Sequence, residues 1–522
     1  MSEILFTPTG SEAEDRQIRR LHEEGKIERL THGLYIRSDG EPVEAAIQRE
    51  WARIVGLLVE GGVVTDRTAM EGLPSKTPDG DKMIAYVSAD RSRAVLSLPG
   101  LEINIRSGSG PQPGDIPYRG TYLASVARKM LENLSPSRAR NGIARTSGPE
   151  EVERALDRIC QHNGGEALNK IRDDARELSR TMGLAKEFQQ LDGIIGALLR
   201  TKSTKLSSKP ASMRAKGSPI DNDCIDRLAI LASYMQERAP ETIKTADTTP
   251  ARNRSGSFIE AYFSNYIEGT EFLVDDAVEI VTEGRLPENR PKDGHDVQST
   301  YNLIVEKPKI APSGMSQEDF VDAVRSMHKV LMDARPEVNP GVFKTRPNKA
   351  GDTSFVHPDN VQGTLREGFA MLPALQSGFH RALFLHYLVS EVHPFADGNG
   401  RVSRIFMGRE LSAAGLSRIV VPTVYRNDYL DSLRALTRRN DPSIFVRQME
   451  FLQKVAAACS AETISEAVTL WASAYAFCSD PRNARLEMPN PNLEIVRSEG
   501  VPAPADYWRA VAGPQRSLIL SS

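Results

Sequence analysis

Apolar positions along the chain recur mostly at helical spacing. The stretch "EAEDRQIRRLHEEGKIERLTHGLYIRS" predicts a helix ended near Gly25, then a short strand pair turning at His32 and Gly33. "PVEAAIQREWARIVGLLVEG" predicts a second helix, with Gly61 and Gly62 as its stop. "SGSGPQPGDIPYRG" is a loop by composition. From Tyr122 to Leu199 the pattern is helical again, in "YLASVARKMLENL", "EEVERALDRIC" and "EALNKIRDDARELSRTMG". Residues 201–220 are rich in Ser, Lys and Pro and hold no acid until Asp221, which predicts an exposed linker. Helical periodicity returns from residue 221 to about 475, with one interruption. At residues 341–359, "GVFKTRPNKAGDTSFVHPD", Gly, Pro and Asn surround short apolar stretches and predict an inserted β-hairpin. Beyond Asp480, Pro and Asn accumulate and predict an irregular tail.

Size and composition change this picture little. A chain of 522 residues is too long for one ordinary core, so two to four domains are expected. With 40% hydrophobic and 26% charged residues it reads as globular rather than disordered. Net charge is -3, so whole-chain charge favours no polyanionic partner and any basic patch must be local. Cys160, Cys224, Cys459 and Cys478 are scattered without a CxxC pair, which reads as reduced thiols rather than a disulfide framework or a zinc site. The N-terminus lacks a signal pattern, and no run nears the roughly 18 apolar residues of a membrane span. The expectation is a cytoplasmic protein with no membrane partner.

The chemistry concentrates at residues 393–404, "HPFADGNGRVSR". His393 follows a leucine- and aromatic-rich helical segment, and Pro394 marks the break. "DGNG" tolerates left-handed backbone, so successive N–H groups can turn inward as an anion nest. "RVSRIFMGRELSAAG" then resumes a helix whose first N–H groups point back into that nest. Arg401 and Arg404, at i and i+3, emerge on one face. Both oppose the helix dipole, a mismatch that a bound polyphosphate would remove. A histidine beside such a nest can take a proton from an attacking hydroxyl. A lone carboxylate, Asp397, is what Mg²⁺ usually takes from a protein when phosphate oxygens supply its other ligands. These residues therefore point to transfer of a phosphorus-centred group from a nucleotide.

The segment resembles the signature of Fic domains, His-x-Phe-x-Asp/Glu-Gly-Asn-Gly-Arg-x-x-Arg, with every fixed position filled. The resemblance implies a helical core and transfer of AMP from Mg-ATP to a hydroxyl of a target protein. It implies His393 as the base, Phe395 as the anchor of the loop and Asp397 as the Mg²⁺ ligand. Gly398, Asn399 and Gly400 would cradle the α- and β-phosphates, Arg401 would bind phosphate oxygens, and Arg404 would meet the γ-phosphate. Residues 341–359 match the position of the family's flap, where an extended target segment adds to the hairpin edge. Upstream, "SFIEAYFSNYIEGTEF" resembles the family's inhibitory segment Ser/Thr-x-x-x-Glu-Gly, here Ser264, Glu268 and Gly269. Gly269 fits a helix stop, and an acid at that helix end opposes the dipole as the arginines do at the other. Two mismatched charges of opposite sign suggest a pair, Glu268 with Arg404, placed where the γ-phosphate would lie.

Tyr429 is expected in the core, with the adenine pocket as its alternative. His386 lies two helical turns before His393, a poor zinc spacing, and reads as a hydrogen-bonded structural histidine. "RQIRRLHEEGKIERLTHGLYI" resembles the winged-helix head of abortive-infection antitoxin regulators, with Arg29, Leu30, Gly33 and Tyr35 as the wing. That resemblance implies DNA contacts from Arg16, Arg19, Arg20 and His32, although Glu23, Glu24 and Glu28 dilute the basic face.

The expected architecture is mostly α: a Fic-type helical core with an inserted β-hairpin flap, preceded by a small winged-helix α+β domain and a helical region. The expected divisions are 1–110 winged-helix-like, 111–200 helical, 201–220 linker, 221–480 Fic domain with inhibitory helix, and 481–522 tail. The leading functional reading is an autoinhibited protein adenylyltransferase using ATP and Mg²⁺, with self-modification as an added acceptor. Removal of AMP, transfer of another phosphate-bearing group, and a DNA-binding regulator that senses nucleotide stay open. Family habit implies a homodimer, on which composition is silent.

Overall fold

In the computed structural model the described residues are 3–140, 142–478 and 485–490, together with the strand backbones Glu494–Arg497 and Trp508–Val511. They are mostly helical, with nineteen α-helices, and divide into two units, Met1–Gly217 and Ser218–Ser522.

The first unit opens with β1 (Glu3–Phe6), α1 (Glu12–Glu23), β2 (Glu28–Thr31) and β3 (Leu34–Arg37), an antiparallel sheet of order β1-β3-β2. Ser11 caps α1 by accepting from Glu14 N, and Gly33, at φ 73°, turns the hairpin. The helix expected around residues 42–60 is two, α2 (Val43–Arg49) and α3 (Trp51–Leu58), because the chain bends at Glu50. The rest is a mixed sheet larger than the short wing expected for residues 1–110. It contains β4 (Val63–Val64), β5 (Ser75–Lys76), β6 (Met83–Ala89), β7 (Ala94–Leu98), β8 (Leu101–Ser107), β9 (Ile116–Tyr118) and β10 (Thr121–Leu123), with α4 (Asp66–Glu71) after β4. Strand order is β7-β8-β6-β4-β10-β9, with β5 on β6. Leu101, Ile103 and Ile105 alternate inward along β8. The sheet runs through Tyr122, where helix was expected, since the apolar groups of "TYL" serve strand pairing with β4.

Helices α5 (Val126–Leu134), α6 (Pro149–Met182, broken at Gly164) and α7 (Ala185–Leu198) follow, with a small pair β11 (Ala139–Arg140) and β12 (Ile143–Ala144) between the first two. The linker expected at 201–220 contains α8 (Lys209–Ala215), with Ala211 buried. Its acids come from α6: Glu153 accepts the N–H groups of Ser207 and Ser208 at 2.7 and 2.6 Å, and Asp157 pairs with Arg214. Local composition cannot show partners held elsewhere in the chain.

The second unit is a helical array: α9 (Asn222–Gln236), α10 (Pro250–Ile267), α11 (Val274–Glu283), α12 (Pro291–Val305) and α13 (Gln317–Leu331). The hairpin β13 (Lys349–Ala350) and β14 (Thr353–Ser354) interrupts it at the expected place. Then come α14 (Val361–Phe369), α15 (Gly378–Val392), α16 (Asn399–Ala413), α17 (Arg426–Arg439), α18 (Ser443–Ala458) and α19 (Ile464–Ser473). Helix α15 is buried on almost every face, so it forms the axis of the unit. Residues 485–490 are irregular, as expected of the tail, but β15 (Glu494–Arg497) pairs with β16 (Trp508–Val511). This strand pair corrects the expectation of a wholly irregular tail, whose Pro and Asn content masks two short β runs. The remainder of the tail from 481 lies outside the described residues.

Candidate active site

Helix α15 ends at His393, which takes the left-handed conformation at φ 50° and ψ 60°. A non-glycine residue there is held by its surroundings rather than by preference. The ring stacks on Phe355 with centroids 3.7 Å apart, and Nδ1 stands 3.2 Å from the Ser390 carbonyl. A carbonyl can only accept, so Nδ1 carries the proton and Nε2 keeps its lone pair. Burial pushes the imidazole pKa down to about 4, which leaves the ring neutral at pH 7.

The loop after His393 is fixed from both sides. Phe395 is fully buried and stacks on His328 at 3.7 Å. Asn399 closes the turn, its Oδ1 accepting Phe395 N at 2.8 Å and its Nδ2 donating to Phe395 O at 3.0 Å. Gly398, at φ 78°, caps α16, whose first turn presents the N–H groups of Asn399, Gly400 and Arg401. Ser390 Oγ donates to Ser403 Oγ at 2.9 Å, tying α15 to α16.

Arg401 and Arg404 both face the end of α10 but take different partners. Arg401 pairs with buried Asp296 at 2.8 Å, and Asp296 also receives Arg335 at 2.9 Å. Arg404 donates from Nη2 to Glu268 Oε1 at 2.7 Å and from Nε to Ser264 Oγ at 2.9 Å. Glu268 ends α10 and Gly269 follows at φ 87°. Burial opposes ionisation of Glu268, but Arg404 outweighs it and holds the carboxyl below its ordinary range. A Cβ on Gly400 would run into Glu268 Oε1, so glycine here leaves room for the carboxylate over this turn.

Glu268, Gly400, His393 and Arg404 open on one cavity of roughly 250 Å³, continued by Ile267, Leu430 and Leu433. Tyr429 is buried, and it also lines this cavity. Its hydroxyl lies 3.0 Å from His386 Nε2, the structural contact expected of that histidine. Asp397 is half exposed, with Oδ1 accepting its neighbour Gly398 N at 2.7 Å and Oδ2 4.0 Å from Arg401. Among the described residues no cluster of three His, Cys, Asp or Glu is arranged to hold a metal alone. A single open carboxylate beside free N–H groups nevertheless fits a Mg²⁺ ion that arrives with a nucleotide. Arg401 Nε, buried without a partner, also fits an anionic ligand at this turn.

Arg16, Arg19, Arg20 and His32 lie in the first unit, exposed on α1 and at the β2–β3 turn. Arg20 pairs with Glu24 at 2.6 Å. Sequence reasoning missed Asp296, Arg335, Phe355 and Lys344, none of which carries a local motif. Charge accounting offers one clue: Arg401, once buried, needs a carboxylate from another helix.

Residues 319–411 match the model of the Fic/DOC family. Protein adenylyltransferase fic-1 of Caenorhabditis briggsae is 28% identical over 134 residues, 25% of this chain and 26% of that one. Protein adenylyltransferase Fic of Drosophila yakuba is 36% identical over 92 residues, 18% of this chain and 17% of that one. The chain thus spans about a quarter or less of these relatives' length. A Fic-domain-containing signaling protein from Bacteroides thetaiotaomicron is 18% identical with a TM-score of 0.36, covering 47% of this chain and 97% of that one.

Proposed function

We propose that this chain, which carries a Fic domain at residues 319–411, is a protein adenylyltransferase held inactive by its own Glu268. The observation that carries the reading is the shared cavity of His393, Gly400, Arg404 and Glu268. In the proposed reaction, ATP places its phosphates over the first turn of α16 and its purine toward Ile267, Leu430 and Leu433. A target hydroxyl attacks the α-phosphorus. The new oxygen–phosphorus bond forms as the bond to the β-phosphate bridge breaks, and pyrophosphate leaves. His393 Nε2 takes the hydroxyl proton. A Mg²⁺ ion on Asp397 would supply charge neutralisation for the phosphates. The edge of β13–β14 is the proposed dock for an extended target segment, with this chain itself as a second acceptor.

Glu268 on Arg404 occupies the place proposed for the γ-phosphate, so bound ATP would be unproductive. Glu268→Gly should raise self-modification from α-labelled ATP about ten- to hundred-fold, the shift carried by a charge-assisted hydrogen bond of roughly 1.5–3 kcal/mol. γ-Labelled ATP should leave the protein unlabelled. Label from the γ position would mean a different transfer reaction, and no gain with His393 intact would remove the inhibitory role.

A second reading concerns the first unit. In it the exposed Arg16, Arg19 and Arg20 on α1, with His32 at the hairpin turn, would meet the phosphates of a DNA duplex, which would make the protein a regulator as well as an enzyme.

A further inference from the structure

Three backbone carbonyls frame His393, one before it and two after. All three are held by the segment that leads into the hairpin. Lys344 N donates to Pro394 O at 2.9 Å, and Lys344 Nζ reaches Val392 O at 3.4 Å. The same Nζ donates to Asn348 Oδ1 at 2.7 Å, and Asn348 Nδ2 donates to Phe395 O at 2.9 Å. Asn348 immediately precedes β13, and its own carbonyl accepts Phe355 N at 3.2 Å across the hairpin. Phe355 in turn stacks on the His393 ring. The hairpin is therefore bracketed by two residues, Asn348 and Phe355, that both bear on the histidine.

Lys344 is an unusual choice for this joint. It is 6% exposed, and its partners are an amide oxygen and a helix-end carbonyl rather than a carboxylate. Burial pushes its ammonium down to about 7. An apolar residue would fill the space without that desolvation cost. What an apolar residue cannot do is donate to Val392 O and Asn348 Oδ1 together.

We propose that Lys344 is a positioning residue for the transfer reaction, joining the acceptor-docking hairpin to the loop that aims His393 Nε2. A target segment added to β13–β14 would thus tighten the same bonds that set the base. This inference rests on the adenylyl-transfer reading above. It goes beyond that reading by giving the hairpin a role in catalytic geometry as well as in docking.

The test uses the full-length Glu268→Gly protein as parent and α-labelled ATP, with self-modification as the readout. Lys344→Met should lower kcat about ten- to hundred-fold, the range produced by a misplacement of order 1 Å at a reacting group. The KM for ATP and the calorimetric ATP affinity should stay within about three-fold, because the phosphate-facing turn lies beyond the clamped carbonyls. Lys344→Arg, which restores a donor, should recover part of the loss. Should Lys344→Met fail to melt cooperatively, Asn348→Ala carries the same expectation, since it cuts the joint at its more exposed end. Unchanged kcat in the variant that folds overturns the inference, and so does a parallel loss of ATP affinity. Absence of label on the Glu268→Gly parent removes the adenylyl-transfer reading, and this inference falls with it.

Discussion

At the scale of single residues, burial sets the protonation state of His393, the proposed base, without a carboxylate partner. Its Nδ1 proton is engaged by the Ser390 carbonyl, and its ring is covered by Phe355. Burial lowers its pKa to about 4, so the ring is protonated only as pH falls through that value. For a group that must accept a proton, the active form is the neutral one present above pH 4. The kcat/KM of the Glu268→Gly protein should therefore hold level from pH 8 to near 5.5 and fall tenfold per unit below about 4. An acid limb centred near the ordinary histidine value of about 6.5 would show that burial does not lower the pKa of His393 in the working enzyme. The motif residues were legible in sequence because left-handed backbone, free N–H groups and misplaced cations all sit within twelve consecutive positions. Phe355 and Lys344 were not, since aromatic stacking and carbonyl clamping leave no periodic trace.

Between elements, the informative pairing is that of helix ends. The C-terminus of α10 carries an acid and the N-terminus of α16 carries two arginines, each opposed by its own dipole. Bringing the ends together pairs Glu268 with Arg404 and removes one misfit. That pairing was legible, because a glutamate before a helix-stopping glycine is an anomaly visible in one dimension. The partner of Arg401 was not legible: Asp296 sits inside α12, in "KDGHDVQS", where nothing distinguishes it from a solvated acid. In the fold it is 1% exposed and joins α12 to both Arg401 and Arg335. Asp296→Ala would leave Arg401 buried with only Asn265 Oδ1 and Met332 Sδ, each at 3.4 Å, and the more distant Asp397 at 4.0 Å. Stability should fall by about 3–5 kcal/mol, the usual cost of removing one partner of a buried ion pair. The midpoint of urea unfolding for the domain bearing α12 and α16 measures this. A change within experimental scatter would mean that Arg401 finds solvent or Asp397 instead.

For the whole molecule, net charge is a poor guide because it averages two units with separate cores. The value of -3 says nothing about where cations gather. On α1 they gather beside acids: Arg16, Arg19 and Arg20 share a helix with Glu12, Glu14, Asp15 and Glu23, and Arg20 is held by Glu24. The acids Glu12, Glu14 and Asp15 lie in the first turn, where the dipole favours them, and the arginines lie further along. Acids thus outnumber arginines on α1, four to three, so the proposed DNA contact depends on the grouping of Arg16, Arg19 and Arg20 rather than on a broad basic face. Two consequences test it. Affinity for a duplex should fall as salt rises, with a slope near -0.9 per phosphate contact, so a few contacts give a modest but measurable slope. Arg19→Ala/Arg20→Ala should remove about two contacts and flatten that slope by roughly two. Gel shifts on a random-sequence duplex at about 50 and 200 mM salt provide the measurement. A salt-insensitive shift, or one that survives the double substitution unchanged, would assign α1 to another surface. Because residues 319–411, which match the Fic/DOC model, lie in the second unit with its own core, the same double substitution should leave labelling by the Glu268→Gly protein as it was, so that the two readings stand or fall separately.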